Sequence, residues 1–474
     1  MRSKKSLKKN LIYNMLYQVI AMVLPLMTAP YISRILGPDG LGIYSYNYSI
    51  ALYFVYFAML GLLEYGNRTI ASVSNDKEKV NKKFSSIYTF QMITSTVVLI
   101  IYLLYVLLFF HNSKNFIIPF IMTLHVLSAF FDISWLYFGL QEFQITATKQ
   151  FIIKILTFVA IFIFVKNKED LGIYTFIMSL SYFFSTFSLW LIIFKNIKYK
   201  RSSVKETFSH FKECIILFIP IIATSIYRLM DKIMLGAMTN ITNVGYYENA
   251  EKIINVTISI IGAILTVMLP KMSNLVANKE TKKAQQLMDK TMNYTMCLGI
   301  AITFGIISVA NEFIVLFFGQ EFKPSIILTI GLSMAIPFMT WSMIIRHLYL
   351  IPYKKDKIYI KSTIIGAILN LVCNLFFIPK FNCFGAVIGT CIAEIGVMLY
   401  QTTILSKQVK IKKYIKRCSM FILIGTIMYI IIINIGKVIN TNLLRLLVKI
   451  LLGSIIYIGL CILFFMIKYK RNKG

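Results

Sequence analysis

Apolar runs of about 20 residues recur from one end of the chain to the other, separated by short polar segments, and a run of that length crosses the hydrocarbon core of a bilayer as one helix. Fourteen are read, at 11–33, 43–63, 87–110, 117–139, 150–165, 171–194, 213–238, 246–269, 290–310, 324–347, 358–378, 384–405, 416–436 and 442–467. A bilayer offers backbone groups no water, so spanning segments of this length must be helices that satisfy their own hydrogen bonds. The predicted fold class is therefore an all-α integral membrane protein with about 14 transmembrane helices. With 58% hydrophobic and 15% charged residues, almost no chain is left for a soluble domain. The fifth run is the shortest and carries Lys154.

Lys and Arg outnumber Asp and Glu by 50 to 19, an excess that raises nucleic-acid binding until the charges are located. If both termini are cytoplasmic, the eight inner segments (1–10, 64–86, 140–149, 195–212, 270–289, 348–357, 406–415 and 468–474) hold 32 Lys and Arg, and the seven outer ones hold 7. This asymmetry matches the positive-inside rule. It also requires an even number of spans, because one missing helix would put heavy loops on both sides. The basic balance thus reads as topology and contact with anionic lipid, with no nucleic-acid partner. The start MRSKKSLKKN followed by an apolar run reads as an uncleaved first span.

Six of the seven cysteines fall in or beside spans, only Cys383 is placed in an outer loop, and no CxxC pair or metal-ligand spacing of histidines occurs. Neither a disulfide framework, a metal site nor a catalytic residue is expected. The longest outer loop, 311–323, is too short for the acceptor domain of a lipid-linked sugar polymerase or ligase, and no GxxxxGK[ST] motif is present. What remains is the economy of a secondary transporter.

An ionisable group within a span costs several kcal/mol unless paired or wet, so such groups are the informative ones. Arg228, Asp231 and Lys232 stand at i, i+3 and i+4 and are expected to share one helical face; Glu248, Glu251 and Lys252 repeat the spacing on the next span. These six read either as ion pairs fixing a hairpin or as the lining of a cavity. Asp132 and Glu394 lack an obvious sequence-local partner. Arg346 and Lys361 are expected to snorkel toward headgroups. Arg34 ends the first span on the side where the rule disfavours cations, and Glu64 and Arg68 lie just past the second.

Pro25 and Pro30 in span one, Pro220 in span seven and Pro337 in span ten predict kinks. Spans one and seven are six apart and both lead through a glycine-containing turn to tyrosines, at Leu36–Tyr44 and Leu235–Tyr246. A six-helix repeat is suggested, its copies parallel in the membrane.

The segments SLKKNLIYN (Ser6–Asn14), APYISRILGPDGLGIY (Ala29–Tyr44), VGYYENAEKI (Val244–Ile253) and TVMLPKMS (Thr266–Ser273) resemble the bacterial polysaccharide-biosynthesis oligosaccharide flippases, members of the multidrug, oligosaccharidyl-lipid and polysaccharide exporter superfamily. The resemblance implies two six-helix lobes around a central cavity, 1–194 and 213–405, joined by a cytoplasmic linker, 195–212, with two extra helices and a basic tail in 406–474. It implies a location in the bacterial cytoplasmic membrane. The implied substrate is a short oligosaccharide on polyprenyl diphosphate, moved from inner to outer leaflet in alternating access, without a cofactor and with help from a proton or sodium gradient.

Carried over by motif, the diphosphate candidates are Arg34, in YISRILG, and Arg68, in EYGNRTIA, followed by Arg228, Lys232 and Lys252. The candidates for ion coupling are Asp132, Asp231, Glu248, Glu251 and Glu394. Tyr44, Tyr46, Asn47 and Tyr48 are expected either to meet sugar hydroxyls or to pack. Further partners are membrane lipids and polysaccharide polymerase machinery. Two other readings stay open: a cation-coupled drug or metabolite antiporter of the same superfamily, and a membrane polymerase or ligase.

Overall fold

The computed structural model describes residues 4–112, 115–193, 197–406 and 411–471, with side chains between 24 and 466 within those ranges, Tyr227 excepted. Two compact units, Met1–Ile233 and Met234–Gly474, divide the chain. The first holds α1 (Lys4–Met59), α2 (Leu62–Val73), α3 (Lys77–Phe110), α4 (Ile117–Ile121), α5 (Thr123–Phe131), α6 (Ser134–Gly139), α7 (Phe143–Phe164), α8 (Leu171–Phe187), α9 (Trp190–Ile193), α10 (Val204–Phe208) and most of α11 (Phe211–Met238). The second holds α12 (Ile241–Ala277), α13 (Thr281–Phe318), α14 (Ser325–Ser333), α15 (Ile336–Ile345), a π-helical turn (Arg346–Leu350), α16 (Asp356–Phe381), α17 (Cys383–Leu405), α18 (Ile411–Val438) and α19 (Asn442–Arg471).

Straight, the 56 residues of α1 would run about 84 Å, far beyond a hydrocarbon core of about 30 Å. The helix breaks at Gly37, whose φ of 66° and ψ of −177° lie in a region essentially reserved for glycine. The two halves are therefore two crossings. Thirteen segments among the described residues are long and apolar enough to span, and the first, Leu24–Val73, has 50 residues and contains this break. Read as two crossings, it brings the total to fourteen. The short fifth run of the sequence grows into α7, a full 22-residue helix.

The connections alternate between two ends of each unit. In the first unit the Tyr31 hydroxyl donates to Val165 O at 2.8 Å and Tyr102 donates to Pro119 O at 2.8 Å at one end. At the opposite end Tyr137 donates to Leu189 O at 2.7 Å and Lys198 N to Asn81 Oδ1 at 3.2 Å. In the second unit Ser325 donates to Tyr246 O at one end, and Lys413 pairs with Asp289 at the other. Helices also extend beyond the apolar runs: the segment 64–86, read as an inner loop, contains most of α2 and the start of α3. Large apolar side chains left exposed along the flanks, such as Leu104 and Leu108 on α3 and Leu447, Leu451 and Ile455 on α19, give each unit a lipid-facing surface.

The fourth span is interrupted, which its apolar sequence does not announce. Gln91, fully buried on α3, spends all its amide chemistry there: Nε2 donates to Ala129 O at 2.7 Å and Asp132 O at 2.9 Å, and Oε1 accepts from Trp135 Nε1 at 2.9 Å. Carbonyls released between α5 and α6 are thus satisfied from a neighbouring helix. The tenth span is interrupted too, into α14, α15 and the π turn. These broken spans are six apart in the order of the fourteen. Pro337, expected to kink a helix interior, instead stands second in α15, where its missing N–H needs no partner.

In the second unit α16 and α17 form a tight antiparallel hairpin through Asn382. A Cβ at Gly385 would fall 2.3 Å from Phe377 O, and one at Gly389 would fall 2.2 Å from Asn374 Oδ1, so small residues set how closely the backbones approach. Cys383, placed by the sequence reading in an outer loop, is instead the buried first residue of α17.

Candidate functional site

The predicted cations fall into two groups. Arg34, three residues before the Gly37 break, is exposed on α1; Arg68 is exposed on α2 and Arg228 on α11. Among the described residues neither Arg68 nor Arg228 has a hydrogen bond or an ion pair. A free guanidinium fork is the chemistry that grips phosphate oxygens two at a time. Lys232 and its neighbour Asp231 are instead buried, at 7% and 3% exposure. The i, i+3, i+4 spacing gathers Arg228, Asp231 and Lys232 on one flank of α11 without giving them one environment, because the long arginine reaches out while the aspartate is too short to follow.

On α12, Lys252 Nζ lies 3.4 Å from Glu248 Oε1 and 3.4 Å from Asn249 Oδ1, so the expected spacing produces an intrahelical ion pair. Glu251, next to Lys252, is half-buried. Glu394 is buried on α17 at 7% exposure, with no hydrogen bond or ion pair among the described residues. A carboxyl in that setting can hold a proton or meet a cation.

Asp132 does have a local partner, contrary to the sequence reading. Its Oδ1 accepts from Ser134 N at 2.9 Å, capping the break between α5 and α6, a turn geometry that short acidic side chains favour. Arg346 does not snorkel as expected. Its guanidinium stacks over the Tyr359 ring at 4.1 Å, and its Nε is buried without a partner among the described residues. It opens the π-helical turn, a distortion common at functional positions.

Two of the four residues offered for sugar contact, Tyr44 and Asn47, are buried in the first unit, and Tyr48 is half-buried. Tyr44 is buried against Tyr174, Asn47 is buried with its amide on Ile43 O, and Tyr48 receives a hydrogen bond from Tyr182 at 3.2 Å. Tyr46 is half-buried. Sequence reasoning also passed over Lys449 and Glu312, whose Nζ and Oε1 lie 2.7 Å apart although 137 residues separate them. The signal was present, since a lysine seven residues into an apolar span already asks for a partner. Among the described residues no group of three or more His, Cys, Asp or Glu side chains could hold a metal ion.

The chain is thus a multi-pass helical membrane protein with exposed arginines and, among the described residues, a buried unpaired acid at Glu394, and comparison with known proteins narrows its class. Residues 7–276 match the family model "Polysaccharide biosynthesis protein", more than half of the chain. The chain belongs to that family. It is 24% identical over 403 residues to the "Putative O-antigen transporter" of Escherichia coli K12, covering 83% of this chain and 95% of the relative. It is 21% identical over 406 residues to the capsular polysaccharide biosynthesis protein CapF of Staphylococcus aureus, covering 82% and 97%.

Among solved structures it resembles the lipid II flippase MurJ in an inward closed conformation, with a TM-score of 0.69 at 18% identity, covering 95% of this chain and 99% of that one. An outward-facing multidrug resistance transporter of the MATE family and MOP superfamily superposes with a TM-score of 0.54 at 14% identity, over 84% and 94%. At these identities the likeness establishes a shared fold. The fold is one the chain shares with these two solved structures.

Proposed function

We propose that the protein is a flippase for polyprenyl-diphosphate-linked oligosaccharides, carrying surface-glycan repeat units from the inner to the outer leaflet of a bacterial cytoplasmic membrane, with both termini on the cytoplasmic side. The observation that carries this reading is the set of exposed, unpaired guanidinium groups of Arg68 and Arg228 in a chain whose relatives are named for O-antigen and capsular polysaccharide. A diphosphate with about two negative charges cannot cross hydrocarbon bare. Charge-assisted hydrogen bonds from arginines replace its hydration, while the prenyl tail stays in lipid.

Two six-helix lobes alternate access, and Arg34, Lys232 and Lys252 assist the two leading arginines along the substrate's route. The buried acids, Glu394 foremost, couple the cycle to a proton or sodium gradient. The cation-coupled antiporter reading draws on the MATE-like fold and the same acids, and a cell-level experiment separates the two. Deleting the gene is expected to remove a surface glycan and leave lipid-linked repeat units on the inner leaflet. Drug sensitivity with an intact glycan would instead support the antiporter.

A further inference from the structure

We propose that α13, α18 and α19 of the second unit form a binding site for one anionic glycerophospholipid, its phosphate in a charged cavity and one acyl chain in an adjoining apolar groove. The inference needs only a chain that spans a membrane; it does not rest on the flippase reading.

Two adjacent cavities meet at Ser308 and Lys449. The first, about 390 Å³, is lined by Glu312 of α13, Lys437 at the end of α18, and Arg445 and Lys449 of α19. Lys449 and Glu312 are both buried and neutralise one another: Lys449 Nζ donates to Glu312 Oε1 at 2.7 Å and to Ser308 O at 3.0 Å. Arg445 is left in excess. Its Nε and Nη2 both donate to Ile439 O, which fixes the fork, and its Nη1 stands 3.8 Å from Glu312 Oε1, beyond hydrogen-bond reach. Among the described residues Lys437 is tied only to Asn434 Oδ1, at 3.4 Å. Three cations therefore face one carboxylate, engaged through Oε1 while its buried Oε2 has no hydrogen-bond partner among the described residues, and the net positive charge of the lining favours an anion.

The second cavity, about 470 Å³, continues between α13 and α19 and is almost wholly apolar, lined by residues such as Ala301, Gly305, Met428, Gly453 and Ile458. Ile450 and Ile458 on its rim are exposed among the lipid-facing side chains of α19, so the groove opens sideways into the bilayer. From Lys449 to Ile458 the helix rises about 14 Å, close to the roughly 15 Å depth of one leaflet. A charged chamber at the membrane surface with a one-leaflet groove beneath it fits a phosphate-headed lipid residing in that leaflet. The charge pattern of the sequence assigns this leaflet to the outside.

The test is native mass spectrometry of the full-length protein equilibrated with vesicles holding equal amounts of phosphatidylglycerol and phosphatidylcholine, with polyprenyl diphosphate as a third probe. One phosphatidylglycerol is expected to be retained preferentially. Arg445→Ala should weaken that retention about tenfold, and the exposed Lys437→Gln more mildly. Gly305→Leu should weaken it by filling the groove, since a Cβ there meets nothing within 4 Å and the fold has room for the side chain. Equal retention of both phospholipids, or retention indifferent to Arg445→Ala and Gly305→Leu alike, overturns the site. Polyprenyl diphosphate displacing phosphatidylglycerol from these same residues would make the occupant the long-chain lipid and overturn the assignment to a resident phospholipid.

Discussion

The hydroxyl of Tyr65 lies 2.6 Å from Nδ1 of His210, and Nε2 of the same buried ring lies 2.9 Å from Ser86 Oγ, so one imidazole ties α2 and α3 to the segment leading into α11. The same segment is held to α3 by Lys198 N on Asn81 Oδ1 and Lys200 N on Ser85 Oγ. It is part of the first unit's packing, in the stretch where the resemblance implied a cytoplasmic linker.

Replacing this ring should therefore loosen the first unit. His210→Ala removes two buried hydrogen bonds, taking from the Tyr65 hydroxyl this partner and leaving Ser86 Oγ on Lys83 O, a loss of about 1–3 kcal/mol. Tyr65→Phe, which removes one bond and keeps the ring, should lose less. Thermal unfolding of the purified protein in detergent checks the order, and equal melting of His210→Ala and wild type would contradict it.

Gln91→Leu should destabilise the interrupted fourth span. Leucine fills similar space but abandons the carbonyl of Asp132 and the indole N–H of Trp135, groups whose orphaning costs about 1–3 kcal/mol each, and leaves Ala129 O with the longer bond from Asp132 N. Gln91→Glu should fare no better, since its carboxylate still accepts from Trp135 but turns an acceptor oxygen onto the carbonyls of Ala129 and Asp132 and buries a charge. Hydrogen exchange over 123–139 reads the effect directly: protection is expected to fall there first, and uniform loss across the unit would argue against a local role.

The start of α3 is expected to depend on pH through Asp76, whose Oδ1 accepts from Glu78 N at 3.0 Å and Lys79 N at 3.2 Å. The bond from the Lys79 backbone, with the Lys79 side chain, holds this exposed carboxyl below its ordinary range. A depressed folded-state pKa means the cap's stabilisation is present above the unfolded value of about 3.9 and disappears as pH falls through the folded value. Amide protection over 77–80, corrected for intrinsic exchange, should thus hold at pH 6 and decline below about pH 4. Asp76→Asn, which keeps an acceptor and loses the charge, should flatten that dependence.

The spans were legible because each is written locally: twenty apolar residues are a helix in a bilayer whatever surrounds them. The turn at Gly37 was legible too, from the glycines between the first two apolar runs. What escaped depends on partners far off in the chain. Nothing between Thr123 and Gly139 states that the helix will break; the break is held by Gln91, more than thirty residues upstream. Lys449 finds Glu312 across 137 residues. Arg346 looked like a snorkelling arginine because the Tyr359 ring that covers it belongs to the next helix. Asp132 was misjudged for a smaller reason: its partner is a backbone N–H two residues on, and backbone donors are free only where a helix has already stopped.

The flippase proposal requires exposed arginines to carry a diphosphate-linked glycolipid between leaflets. Proteoliposomes carrying the purified protein and a fluorescent polyprenyl-diphosphate disaccharide test it most directly, through the fraction of label protected from an external quencher as it crosses. Wild type should transfer the label. Arg68→Ala and Arg228→Ala, inserted in equal amount, should each slow transfer at least tenfold, and the matching lysine variants should fall between, because an ammonium keeps the charge but loses the planar fork. Transfer no faster than in empty liposomes under an imposed ion gradient, or both alanine variants working at the wild-type rate, would contradict the claim.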